Sequence, residues 1–133
     1  MTEGPPQIRL ALPAIPESLP LIRQVVATLV AAQTLPPRRQ EQVLTAVATA
    51  AADAVRHAYR DAAPPCEIVI EGRVRDGKLV ITVLEDGPGV APLIGTGNVH
   101  GGLAVMGAFA DRLELGCGAA GGSSTRMSFS LAD

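Results

Sequence analysis

The sequence predicts an α+β two-layer sandwich, a mixed or antiparallel sheet with its helices on one face. Three observations predict it. The strand-like segments come as hairpin neighbours and not in β-α-β alternation, apolar residues elsewhere recur at helical spacing, and 133 residues give room for one domain with one core. Hydrophobic residues make up 47% and charged residues 18%, a globular and not a disordered composition. Aromatics are only 2% (Tyr59, Phe109, Phe129), so the core must be built from Val, Leu, Ile and Ala, and helices can pack closely.

Residues 1–6 read as an unstructured tail. Gln7-Ile8-Arg9-Leu10-Ala11-Leu12 then alternates polar and apolar with the period of a half-buried strand, ended by Pro13. Ser18 is the expected N-cap of a helix whose stripe is Leu21, Ile22, Val25, Val26, Leu29 and Val30. Pro36-Pro37 stops it, and Pro37 opens a second helix over about Arg38 to Tyr59, where a missing N–H is tolerated. The alanine-rich middle of that helix has high propensity.

Asp76-Gly77 sits between two apolar-alternating runs, Cys66–Glu71 and Lys78–Leu84, a strong hairpin signal because both turn residues tolerate positive φ. A glycine-rich loop is expected over 87–102 and a helix from Leu103 to Ala110. Leu113 to Leu115 and Thr125 to Leu131 complete the strands, giving the order β-α-α-β-β-loop-α-β-β.

Lys plus Arg total 11 against 13 for Asp plus Glu, a net charge of −2, which argues against a nucleic-acid or anionic-lipid partner. No apolar run reaches the ~20 residues that span a bilayer, and the N-terminus lacks the regions of a signal peptide, so a cytoplasmic protein is expected. Cys66 and Cys117 have no metal-ligand spacing and read as reduced thiols.

Three places could carry chemistry. Glu85 shares strand parity with Leu79, Ile81 and Val83, so it is aimed at the helix layer where the strand ends in Gly87-Pro88-Gly89. It could accept from the amino edge of a purine, or be an ordinary strand-end acid that meets solvent or an arginine. Thr49, Asp53 and His57 lie four apart and line one stripe of the second helix. That stripe is either a functional edge facing the same gap, so that Glu85, Thr49, Asp53 and the Leu103 helix surround one cavity, or a solvent face on which Asp53 pairs with Arg56 or His57. A lone imidazole speaks against a metal site at His57. Gly95 to Gly102 leads into a helix whose free N–H groups could bind phosphate, but it matches neither G-x-G-x-x-G nor the P-loop, and a plain loop is the commoner meaning.

Taken together these residues closely resemble the anti-sigma-factor serine kinases of the GHKL (Bergerat-fold) ATPase superfamily over nearly the whole chain. Ala54-Val55-Arg56-His57-Ala58-Tyr59 matches that family's helix motif almost letter for letter. Its D-x-G-x-G box aligns with Glu85-Asp86-Gly87-Pro88-Gly89, its lid and G-x-G-L box with His100-Gly101-Gly102-Leu103, and its last glycine-threonine strand with Gly121-Gly122-Ser123-Ser124-Thr125. The resemblance implies an ATP or ADP site with Mg²⁺, built from Asp53, His57, Glu85, Gly87, Gly89, His100, Gly101, Gly102, Leu103, Ser124 and Thr125. It also implies a homodimer, and a sigma factor or STAS-domain anti-anti-sigma protein as partner.

The departures fall on the family's chemistry. Thr49 stands where the family has its general-base Glu and cannot accept a proton at neutral pH. Asp53 stands for the Mg²⁺-ligating Asn, Glu85 for the adenine-binding Asp, and His100 for the first lid glycine. Asp53 is still an oxygen ligand of the kind Mg²⁺ takes. The expected function is a partner-switching regulator with weak or lost kinase activity. The alternatives are an active serine kinase and, disfavoured because no phospho-acceptor helix precedes the domain, the ATP-binding half of a two-component sensor.

Overall fold

The computed structural model describes residues 6–60, 66–86, 98–117 and 122–131, and of 57–60, 98–101 and 117 the backbone alone. Asp76 and Gly77 take positive φ values of 53° and 73°. They form the tight turn between β2 (Glu67–Arg75) and β3 (Lys78–Glu85), with Arg75 opposite Lys78. β1 (Ile8–Pro13) lies outside β2, while β5 (Ser123–Ser130) pairs with β3 and carries β4 (Arg112–Cys117) on its far side. The order is β1-β2-β3-β5-β4 with every pair antiparallel, which settles the choice between a mixed and an antiparallel sheet.

Strand alternation puts one set of residues on the face toward the helices. Ile8, Gly72, Ile81, Met127 and Leu113 form one cross-strand row, and Leu10, Ile70, Val83, Thr125 and Leu115 the next. A short 3-10 turn (Pro16–Ser18) leads into α1 (Leu19–Ala31), then α2 (Pro37–Arg60) and, after β3, α3 (Asn98–Phe109). Ile22, Val26 and Val30 of α1 and Val43, Val47 and Ala51 of α2 are fully buried on that face. Leu29 of α1 packs where any side chain at position 72 would stand, so Gly72 lets helix and sheet approach. No described helix is long and apolar enough to cross a membrane.

Two boundaries differ from the sequence expectation. Ser18 does not cap α1. It has right-handed helical φ and ψ in the preceding 3-10 turn, and its buried hydroxyl donates to the Pro13 carbonyl at 2.7 Å, tying the turn to the end of β1. The third helix begins at Asn98 and not at Leu103, so the C-terminal end of the expected 87–102 loop is helical. Glycine's low propensity marked that stretch as loop. Tertiary packing overrides it, because Gly102 is buried against α2 at a spot where a larger residue would collide with Asp53.

Arg39, in the first turns of α2, holds the far end of the layer together. Its guanidinium donates to the Phe109 carbonyl at the end of α3 at 2.8 Å, pairs with Asp111 at 3.2 Å and stands 5.5 Å from the centre of the Phe129 ring. An arginine at a helix C-terminus satisfies a carbonyl that has no partner in its own helix. Arg39→Ala is expected to lower stability by about 1–3 kcal/mol through the lost charge-assisted bonds and ring contact, and Arg39→Lys to recover only part of this. Urea unfolding with an unchanged m-value checks it.

Candidate functional site

Glu85 ends β3 in the last cross-strand row of the helix-facing side, between Ile68 of β2 and Ser123 of β5. Its neighbours along the strand at the same parity, Leu79, Ile81 and Val83, are core residues, and Glu85 itself is only 5% exposed. A carboxylate buried to that degree needs a donor. Ser123 supplies one, its Oγ donating to Glu85 Oε1 at 3.2 Å. The next residue, Asp86, is exposed and fixed differently: Oδ1 accepts the Glu67 backbone N–H at 2.8 Å. That bond anchors Asp86 to β2, so Glu85 and not Asp86 is the acid presented to the helix layer.

Gly122 explains how β5 enters this corner. Its φ is +85°, and a Cβ there would lie 2.5 Å from the Glu85 carbonyl oxygen and 3.2 Å from Asp86 Cα. Only glycine lets the chain cross so near the end of β3. Thr125 pairs with Val83 on the helix-facing side. Ser124 pairs with Leu84 and Gly116 on the opposite face, so the hydroxyl that meets Glu85 is that of Ser123, which lies within the aligned Gly121–Thr125 stretch but is not among the site residues expected from it. Cross-strand register with Glu85 is the signal that could have found it.

On α2 the Thr49 hydroxyl donates to the Thr45 carbonyl one turn back, at 2.7 Å, a local bond within the helix. Asp53 follows one turn later with its side chain 20% exposed, and its Oδ1 accepts from Arg56 at 3.0 Å, the i,i+3 pair that the sequence left as one alternative. Its other oxygen packs on Gly102 of α3. Burial pushes the Asp53 carboxyl above its ordinary value of 3.8, and the Arg56 guanidinium pulls it part of the way back.

An acid whose folded pKa is raised binds its proton more tightly in the native state, so it contributes stability at low pH that is lost as pH rises from 3.8 through the folded value. Asp53→Asn is expected to remove this loss, so that melting temperatures of variant and wild type diverge from acid towards neutral pH, with the wild type falling behind. Parallel curves would contradict it.

The structure therefore forms two clusters, Glu85 with Ser123 between β3 and β5, and Asp53 with Gly102 between α2 and α3. Gly102 is buried and Leu103 half-buried on α3, while Gly101 and His100 contribute backbone to its first turn. Gly87 and Gly89 and the side chains of His57 and His100 lie outside the described residues.

The donor set fits the two parts of a metal-nucleotide unequally. A buried carboxylate at Glu85 is a suitable acceptor for an exocyclic amine. Asp53 is a poor ligand for Mg²⁺, because one oxygen holds a guanidinium and the other lies against a helix backbone. Among the described residues no group of three His, Cys, Asp or Glu side chains is placed to hold a metal ion.

A family model described as the histidine kinase-like ATPase domain matches residues 12–129. Among solved structures, the chain is similar to that of the RsbU and RsbW domains of Rv1364c from Mycobacterium tuberculosis, with a TM-score of 0.71 and 18% identity. The likeness covers 96% of this chain and 32% of that one, so this chain spans about a third of that chain's length. No curated protein matches the sequence.

Proposed function

The chain belongs to the histidine kinase-like ATPase domain family, and from that premise we propose that it is a partner-switching regulator in which phosphoryl transfer is weak or lost. It acts as a homodimer that binds a sigma factor, a STAS-domain anti-anti-sigma protein, or both. The likeness to a structure that contains an RsbW domain supports this choice among the family's many roles.

The observation that carries the reading is the stripe on α2. Thr49, at the position the resemblance assigns to a general base, has its hydroxyl bonded within the helix, and Asp53, at the metal position, is held by Arg56 and α3. Phosphoryl transfer depends on positioning and on stabilising charge at the phosphates, and neither group is arranged for it. Glu85 retains an acceptor for adenine, so nucleotide binding weaker than micromolar is expected, and no step of the function is routed through Mg²⁺.

Mixing the protein with Mg·ATP and a STAS-domain protein or sigma factor tests the proposal. Calorimetry is expected to show a stable protein–protein complex, while the intact mass of the STAS protein stays unchanged. Robust addition of phosphate to a serine would establish the active kinase instead.

A further inference from the structure

The face of the sheet that points away from the helices carries an ordered pattern of charge. An antiparallel sheet with one solvated face alternates apolar and polar residues along each strand, yet β3 presents Val80, Thr82 and Leu84 on that side. Leu84 belongs to a cross-strand row, Ala11, Val69, Leu84, Ser124 and Gly116, without a charged residue. The row beside it is Arg9, Glu71, Thr82, Arg126 and Glu114, in the spatial order β1-β2-β3-β5-β4.

The signs along this second row run plus, minus, neutral, plus, minus. Read in reverse, every charged position meets its opposite. The four charged side chains are accessible, from 26% for Glu71 to 56% for Arg9. Within one chain Arg9 stands 3.5 Å from Glu71 and Arg126 3.8 Å from Glu114, and exposed pairs of this kind contribute little, so these groups can pair again across an interface. A partner of uniform charge, such as a nucleic acid or an anionic membrane, would repel two of the four. A second copy of the chain repels none.

We propose that the chain dimerises through these open sheet faces, about a two-fold axis parallel to β3 that lies between them. Such an axis reverses the strand order and keeps the rows in step. Because β3 is the middle of five strands, β1 lies over β4 of the second copy and β2 over its β5. Arg9 then faces Glu114, Glu71 faces Arg126, and Thr82 and Leu84 meet their own copies on the axis, an isologous contact of two near-aligned sheets. The strand lengths give each face about 600 Å², so two faces reach the lower end of the ~1,200–2,000 Å² of stable interfaces. The inference rests on the homodimer of the regulatory reading and adds the surface that forms it.

Sedimentation equilibrium of the full chain tests it. The wild type is expected to be a dimer, and Arg9→Glu and Glu114→Arg should each raise its dissociation constant about tenfold or more, because two-fold symmetry applies each reversal twice. An equal mixture of the two variants should recover dimers of near wild-type affinity, since one copy's Arg9→Glu meets the other's Glu114→Arg while the remaining contact is the natural one. Far-ultraviolet circular dichroism checks that the variants fold, and Glu71→Arg with Arg126→Glu forms a second pair if either of the first does not. Dimers indifferent to the single substitutions overturn this interface and leave the homodimer standing, as does a mixture that stays monomeric. A monomeric wild type overturns both.

Discussion

Wild-type protein is expected to leave its STAS partner unphosphorylated, whereas the triple variant Thr49→Glu, Asp53→Asn, Glu85→Asp gains measurable transfer. Each substitution undoes a specific arrangement. Glu at 49 places a base where a hydroxyl now bonds to Thr45, and loss of a positioned base commonly costs 10²–10⁴ in rate. Asn at 53 removes the ion pair with Arg56 and keeps an oxygen ligand, and it ends the burial of a charge beside Gly102. Asp at 85 draws the acceptor back by one methylene and leaves Ser123 to a new partner. Position 49 is half-buried in a helix where Glu has good propensity, so the fold should tolerate it. Intact mass of the STAS protein after incubation with Mg·ATP reads the result. A triple variant that folds, binds nucleotide and still transfers nothing would place the lost chemistry outside these positions.

Gly122→Ala is expected to cost about 2–4 kcal/mol, large for the addition of one methyl group. The left-handed conformation alone accounts for roughly 1–2 kcal/mol. The remainder comes from the approach of the new Cβ to the Glu85 carbonyl, which is backbone and cannot rotate away. Two other glycines separate these contributions. Gly77 has a φ of +73° and nothing within 4 Å of where a Cβ would stand, so Gly77→Ala should carry the conformational part alone. Gly107 sits in α3 with open space around it, so Gly107→Ala should stabilise by about 0.5–1 kcal/mol. Urea midpoints of the three variants give the comparison. Equal losses at positions 122 and 77 would show that the close approach contributes nothing.

Much of the fold was legible because its signals are local and periodic. Parity along β3 was enough to aim Glu85 at the helices, and Asp-Gly was enough to fix the β2–β3 turn. What was not legible depends on contacts between elements. Ser18 has the residue type of a cap, but its hydroxyl is taken by the Pro13 carbonyl and its backbone is already helical. Gly101-Gly102 has the composition of a loop, but closeness to Asp53 is satisfied only by a glycine-bearing helix. At the site, spacing on α2 grouped Thr49 with Asp53, yet it could not choose between a functional edge and an ion pair with Arg56. Ser123 lies in the aligned motif but is not picked out as a site residue, because its role arises from register across β3 and β5, which no single segment records.

The position of β5 between β3 and β4 also sets the order in which the molecule can be assembled. β4 precedes β5 in the chain but joins the sheet only through it, so β4 has no strand to pair with until residues after Gly122 arrive. The β1–β2–β3 side can pair as soon as it is made, with α1 and α2 already available to cover it. Leu79 then waits for Phe129, and Ile81 for Met127, across a long stretch of intervening chain. Closing such a loop precedes the gain from its contacts, so this pairing is the expected slow step of folding. During synthesis on the ribosome, the open edge of β3 is accordingly the segment most in need of protection by a chaperone.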